Sequence, residues 1–197
     1  MAGMSEQTAA LPRDWPRVKW TRAAQVAPLL GEVPDLAALG TMEPAAAFAV
    51  LRDDDPAGAV RFMAHCLSRV DAVRWVAACL PDAGQNVPPA RAVAAKAVRR
   101  WVANPSDEAR RLAYDAGLVA GWDTMEGMAC LAVFMSGGSM APAEQEVPVN
   151  PPPGVFGQMA AGAVLLAAHA DGARAFAGRI ASMLAVADAI AAGEHRA

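Results

Sequence analysis

Alanine-rich apolar runs of ten to twenty residues, most of them opened by proline or a capping side chain, limit what this chain can fold into. Alanine holds 49 of the 197 positions, and isoleucine only two, Ile180 and Ile190. Alanine is the best helix former and a poor strand residue, so the pattern disfavours an all-β fold. A charged fraction of 19% together with these apolar runs argues against intrinsic disorder. The length suits one domain able to bury a core without disulfides or metal.

Local chemistry predicts the segments. Residues 1–14 read as a loose tail, 15–192 as a single helical domain and 193–197 as a second tail. The stretch 15–20 is held extended by Pro16, and its Trp15 and Trp20 need cover. A short helix is expected over 21–30, ended or kinked by Pro28, and another over 41–51 with Pro44 in its first turn. Asp55 with Pro56 forms a helix start, and the acids of Asp53-Asp54-Asp55 favour that helix end more than a metal.

Residues 59–67 and 72–80 then echo each other at six of nine positions. Val60, Met63, Ala64 and Leu67, and Val73, Val76, Ala77 and Leu80, fall at i, i+3, i+4, i+7, one face of a helix each. Ser68 is placed to cap the second, which predicts an antiparallel hairpin.

Pro88 and Pro89 open a helix to residue 103. Its apolar stripe is Ala90, Val93, Ala94, Ala97, Val98 and Trp101, with Arg91, Lys96, Arg99 and Arg100 opposite. Asn104 is expected to cap the next helix ahead of Pro105, Asp107 and Glu108, and Gly121 to end it. Asp123 or Thr124 caps the helix 125–135, with Glu126 placed for a capping box. That helix is apolar nearly all round and so should be central. Helices over 156–170 and 171–192, the second capped by Asp171, complete an all-α bundle of eight or nine helices.

Between residues 136 and 153 no helix signal exists, and Pro148, Pro151, Pro152 and Pro153 hold the chain extended. Long irregular segments are uncommon and often functional, which marks Ser136, Gly137, Gly138, Ser139 and Pro142 as candidate ligand or partner contacts. His65, Asp71 and Trp75 join them. The stretch 137–141 matches a nucleophile elbow only halfway, since it lacks the last glycine and follows a helix. It lacks the Lys-Ser/Thr of a phosphate loop. No catalytic residue is therefore assigned; Ser136, Ser139, His65 and Asp71 are the groups a ligand-binding or enzymatic alternative would use.

A net charge of −3 gives no global attraction to nucleic acid or anionic membrane. Residues 59–111 nevertheless carry nine basic and four acidic residues, and 112–197 three and eight, a split able to orient a partner or a second copy. Asp107 and Glu108 would stand at the start of any recognition helix after Asn104, where phosphates need positive potential. The longest apolar run, 159–168, is half of a bilayer span, and no secretory signal is visible. Cys66, Cys79 and Cys130 read as reduced buried thiols of a cytoplasmic protein. His65, His169 and His195 lack a second ligand at metal spacing, so no metal or cofactor is expected.

Four segments carry a resemblance. DPAGAVRFMAHCLSRVDAVRWVAACL, WVANPSDEARRLAYDAG, TMEGMACLAVFMSGGSMAP and VPVNPPPGVFGQMAAGAVLLAA follow one another in this order. Together they resemble a bacterial cytoplasmic family of unknown function, of about 200 residues, often encoded near type VI secretion and forkhead-associated-domain genes. The resemblance spans roughly 55–192, and its most specific pieces are 136–142 and the later proline run. Family members tend to carry proline and a basic-acidic pair ahead of Trp-Trp; here Ser68, Val70 and Asp71 precede a single Trp75, with Arg74 at the first Trp position. The resemblance implies no activity and no catalytic residues. A non-enzymatic protein–protein interaction or accessory factor is the expectation, with self-association as a further form of it.

Overall fold

The computed structural model describes residues 14–30, 36–82, 87–142 and 144–194. The expected tails at 1–14 and 193–197 fall almost wholly outside these, with Asp14, Gly193 and Glu194 the exceptions. The described residues are all-α and contain no strand. After a single 3-10 turn, Ala23–Gln25, the helices run α1 Ala27–Leu30, α2 Leu36–Leu39, α3 Pro44–Asp54, α4 Pro56–Cys66 and α5 Arg69–Cys79. They continue as α6 Pro89–Ala103, α7 Asp107–Ala120, α8 Met125–Met135, α9 Val155–His169 and α10 Ala173–Ala191. Eight of these described helices have eleven residues or more.

The caps explain most boundaries. Asp55 accepts from Gly58 N at 2.9 Å, Ser68 Oγ from Asp71 N at 3.1 Å, and Thr124 Oγ1 from Gly127 N at 3.0 Å. Each satisfies one of the backbone donors a helix start leaves unpaired. Gly121, with φ 89°, closes α7.

Several boundaries differ from the sequence expectation, for local reasons. Pro28 lies in the first turn of α1 and opens it rather than ending it, because a first-turn proline forfeits no intrahelical bond. Ser106, not Asn104, caps α7, accepting from Ala109 N at 3.1 Å, while Asn104 is spent as the C-cap of α6. Asp171 pairs with Arg179 instead of capping α10, which starts at Gly172 without a side-chain cap. Val93 is 58% exposed, and Ala95 takes its place in the buried stripe of α6. A three-residue run at 93–95 leaves the choice to the neighbouring helices.

The α4–α5 hairpin does not form as expected. Leu67 and Ser68, the whole link, are both extended. α4 and α5 each pack instead on α9 and α10. Trp75 shows the consequence: fully buried, it donates Nε1 to the carbonyl of Met183 on α10 at 2.8 Å.

α8 is the central helix, packed against α6, α7 and α9, with Ala129, Cys130, Ala132 and Val133 fully buried. Small side chains let these axes approach closely. α8 carries one charged residue, Glu126, and buries it, 1% exposed. With Thr124 as cap it cannot close a capping box. Both of its oxygens accept from Arg91 on α6 instead, at 2.8 and 3.2 Å. A buried carboxylate needs such a partner, since an unpaired one costs several kcal/mol. Arg91→Ala is therefore expected to lower stability by about 3 kcal/mol, while the double change Arg91→Met with Glu126→Met lowers it less. Urea unfolding midpoints check this; equal losses in both variants would show the pair to be unimportant.

Candidate functional site

The chain between α8 and α9, residues 136–154, carries no helix among its described residues. Its carbonyls must find donors outside a helix ladder. Three arginines supply them. Arg69, at the first position of α5, donates Nη1 to Ser136 O at 2.7 Å. Arg110, 3% exposed on α7, donates to Phe134 O at 2.9 Å and Ser139 O at 2.8 Å, and its guanidinium lies over the Phe134 ring. Arg111 donates to Ala141 O at 3.0 Å.

Asp107 binds both Arg111 and Arg110, and those hydrogen bonds hold its carboxyl below the usual carboxylate value. Gly138, with φ 70°, passes so close to Arg110 and Asp107 that a side chain would press on both. Ser139 Oγ accepts from Ala141 N at 3.1 Å and Val149 N at 3.0 Å, while Met140 N donates to Val149 O at 2.7 Å. The segment is thus tied across its own base. Positive charge read from sequence as a surface feature is spent here on backbone oxygens.

Where the segment returns to α9, it forms one wall of a groove of about 690 Å³. Pro151, Pro152, Pro153 and Gly154 make that wall; the end of α4 and the start of α5 face it, with His65, Val70 and Arg69. Arg17, Lys19 and Trp20 from the N-terminal segment complete it. Trp20 Nε1 donates to His65 O at 3.1 Å, and the Lys19 ammonium sits 4.4 Å from the Trp20 ring centre. The cover needed by Trp15 comes from α3 and α10: it is 7% exposed, its ring lies 5.3 Å from that of Phe48, and Nε1 bonds Asp188 at 2.8 Å. Among the described residues, the groove lining includes three cations and no acid.

The sequence candidates separate into different places. His65 lines the groove, and Pro142 lies with Met140 along a smaller depression beside Tyr114. Ser136, Ser139 and Asp71 do not line the groove. Asp71 is 3% exposed and fully engaged, by Ser68 Oγ at 2.8 Å, by Arg17 Nη2 at 3.0 Å and by Arg74. It ties the N-terminal segment to α5. Trp75 is core, as above. Gly137 lies beside Arg69. Of the four groups of the enzymatic alternative, His65 therefore lines the groove and Ser136, Ser139 and Asp71 do not. Cys66 also lines the groove, but burial pushes its thiol well above its ordinary value, and the thiols of Cys79 and Cys130 up to about 12. All three are free and buried. No group of three metal-ligating side chains occurs among the described residues, and none of their helices is long and apolar enough to cross a membrane.

Sequence reading missed Arg17, Lys19, Trp20, Arg69 and Gly157 as groove residues. Gly157 offered the one usable signal. A glycine in the first turn of a helix weakens it, and here the His65 ring rests where its Cβ would stand.

A family model described as "Family of unknown function (DUF6931)" matches residues 47–191, and the chain belongs to that family. His65, Arg69 and 151–157 lie inside the matched region; Arg17, Lys19 and Trp20 precede it. Comparison with curated proteins and with solved structures finds no match.

Burial lowers the pKa of His65 from 6.5 to about 4. The unfolded chain therefore takes up a proton below pH 6.5 that the folded chain refuses until about pH 4. The contribution to stability is full above pH 6.5 and is lost as pH falls towards 4, a loss on the order of 2 kcal/mol. His65→Gln is expected to reduce the drop in stability between pH 7 and 4.5 by that amount. Urea unfolding of both proteins at the two pH values measures it, and identical drops would rule out this role for His65.

Proposed function

We propose that this chain is a non-enzymatic binding protein whose groove docks an acidic, apolar-flanked segment of a partner protein. The observation that carries the reading is the lining itself: Arg17, Lys19 and Arg69 beside Trp20, Phe156 and prolines, without a carboxylate among the described residues. Apolar walls supply affinity and the cations choose the sign of the partner. The proline wall is pre-ordered, so little chain entropy is lost on binding. In the gene setting that the resemblance implies, the partner is a component of a type VI secretion system and this protein its accessory factor. Mild crosslinking and pull-down from native extract is expected to recover one stoichiometric partner with the unmodified protein and to lose it with Lys19→Glu. Retention of the same partner by the variant, or recovery of none by either protein, would overturn the reading.

One observation favours a second reading, in which the partner is another copy. Glu144, Glu146, Val147 and Val149 are exposed, and they combine the acidic and apolar character the groove selects. The segment lies immediately before the proline wall, so two copies related by a two-fold axis near that edge could exchange it. Light scattering is then expected to show a dimer at low salt that dissociates with Glu144→Lys and Glu146→Lys. A monomer at every protein concentration tested would eliminate this form.

A further inference from the structure

We propose that the first turn of α9, together with His65, is a subsite for a carboxylate carried on an apolar body. The proposal builds on the reading of the groove as a docking site and names the group bound at its base.

α9 has fifteen residues, so its aligned peptide dipoles place partial positive charge at its start. Its N-cap is Gly154, which offers no side-chain acceptor, and no acid lies in the first turn. Val155 N donates to Pro152 O at 3.3 Å and Gln158 N to Gly154 O at 3.1 Å, but the N–H groups of Phe156 and Gly157 have no hydrogen-bond partner among the described residues. Both residues line the groove. Unpaired donors at a helix start are the elements of an anion site.

His65 points independently to the same place. It is 9% exposed, lines the groove and rests against Gly157. Neither ring nitrogen has a hydrogen-bond partner among the described residues, and neither is fully enclosed, so the polar edge of the ring opens to solvent at the groove. An imidazole that opens to a groove without a protein partner is free to donate to a ligand there. A ligand oxygen at the start of α9 would accept from the ring N–H as well as from the backbone.

The surroundings select the kind of anion. Arg17 is already paired with Asp71 and Arg69 is bound to Ser136 O, which leaves Lys19 as the cation with least engagement. Lys19, the one lining cation with neither an ion pair nor a side-chain hydrogen bond among the described residues, and an apolar lining of Trp20, Phe156 and Pro152 suit a singly charged group on an apolar chain better than a strongly hydrated dianion. An acidic side chain or a peptide C-terminus would meet that description, and both present the same carboxylate.

Nuclear magnetic resonance titration of the full chain tests the assignment, with hexanoate, hexanol and inorganic phosphate as probes. Hexanoate is expected to shift the amide signals of Phe156 and Gly157 and the ring signals of His65, with hexanol and phosphate binding at least about tenfold more weakly. His65→Phe, which keeps an apolar ring without its donors, is expected to weaken hexanoate by about tenfold. Should that variant fail to fold, the three titrations of the unmodified protein still decide. Equal binding of hexanoate and hexanol, equal binding of phosphate, or shifts confined to Lys19 and Trp20 would each overturn the subsite. Loss of the partner with Lys19→Glu in the absence of any hexanoate shift at α9 would overturn the subsite and leave the docking reading standing. Hexanoate binding without any partner would do the reverse.

Discussion

A stretch of backbone that leaves the helical ladder must have its carbonyls satisfied from elsewhere, and in this protein arginine does it. Arg69, Arg110 and Arg111 hold the carbonyls of Phe134, Ser136, Ser139 and Ala141. Guanidinium suits the task because its donors fan out in a plane and reach several oxygens at once. With that end of the segment fixed, the proline run that follows has a defined approach to α9. The groove wall therefore depends on these anchoring contacts at the start of the segment.

The groove also depends on the N-terminal segment. Arg17 reaches Asp71 on α5, and Arg17 N bonds Ala191 O on α10, so the segment lies along the bundle rather than free of it. That placement lays Trp20 across the end of α4 and covers His65 from one side. Gly157 leaves room for the imidazole on the other. Desolvation then outweighs the favourable field at the C-terminal end of α4, which would otherwise favour a charged ring. A neutral, largely buried imidazole beside a bare helix start follows from packing alone.

Caps at Asp55, Ser68 and Thr124 were legible in the sequence because each is decided within three residues. The centrality of α8 was legible too, since a helix apolar on all sides has nowhere else to go. The cap at Ser106 was not, because Asn104 satisfies the same local rule and lost only by ending α6. Glu126 looked like a capping residue and proved to be half of an interhelical pair with Arg91, a choice that no local rule could make. Among the site candidates, His65 lines the groove. Asp71 and Trp75 do not, since one is held by Arg17, Arg74 and Ser68 and the other is buried against α10. Ser136 and Ser139 belong to the anchoring of the segment rather than to the groove.

The sequence by itself determined the all-α class, most helix starts and the irregular span between α8 and α9. Those properties rest on propensity, capping and proline geometry, which act over three or four residues. Only the tertiary structure decided which charges face solvent, which are consumed and where the groove opens. Those outcomes rest on contacts between residues far apart in the chain, Arg69 with Ser136, Arg17 with Asp71 and Trp75 with Met183. Desolvation and hydrogen-bond pairing act on neighbours in space, and neighbours in space exist only after the helices have packed.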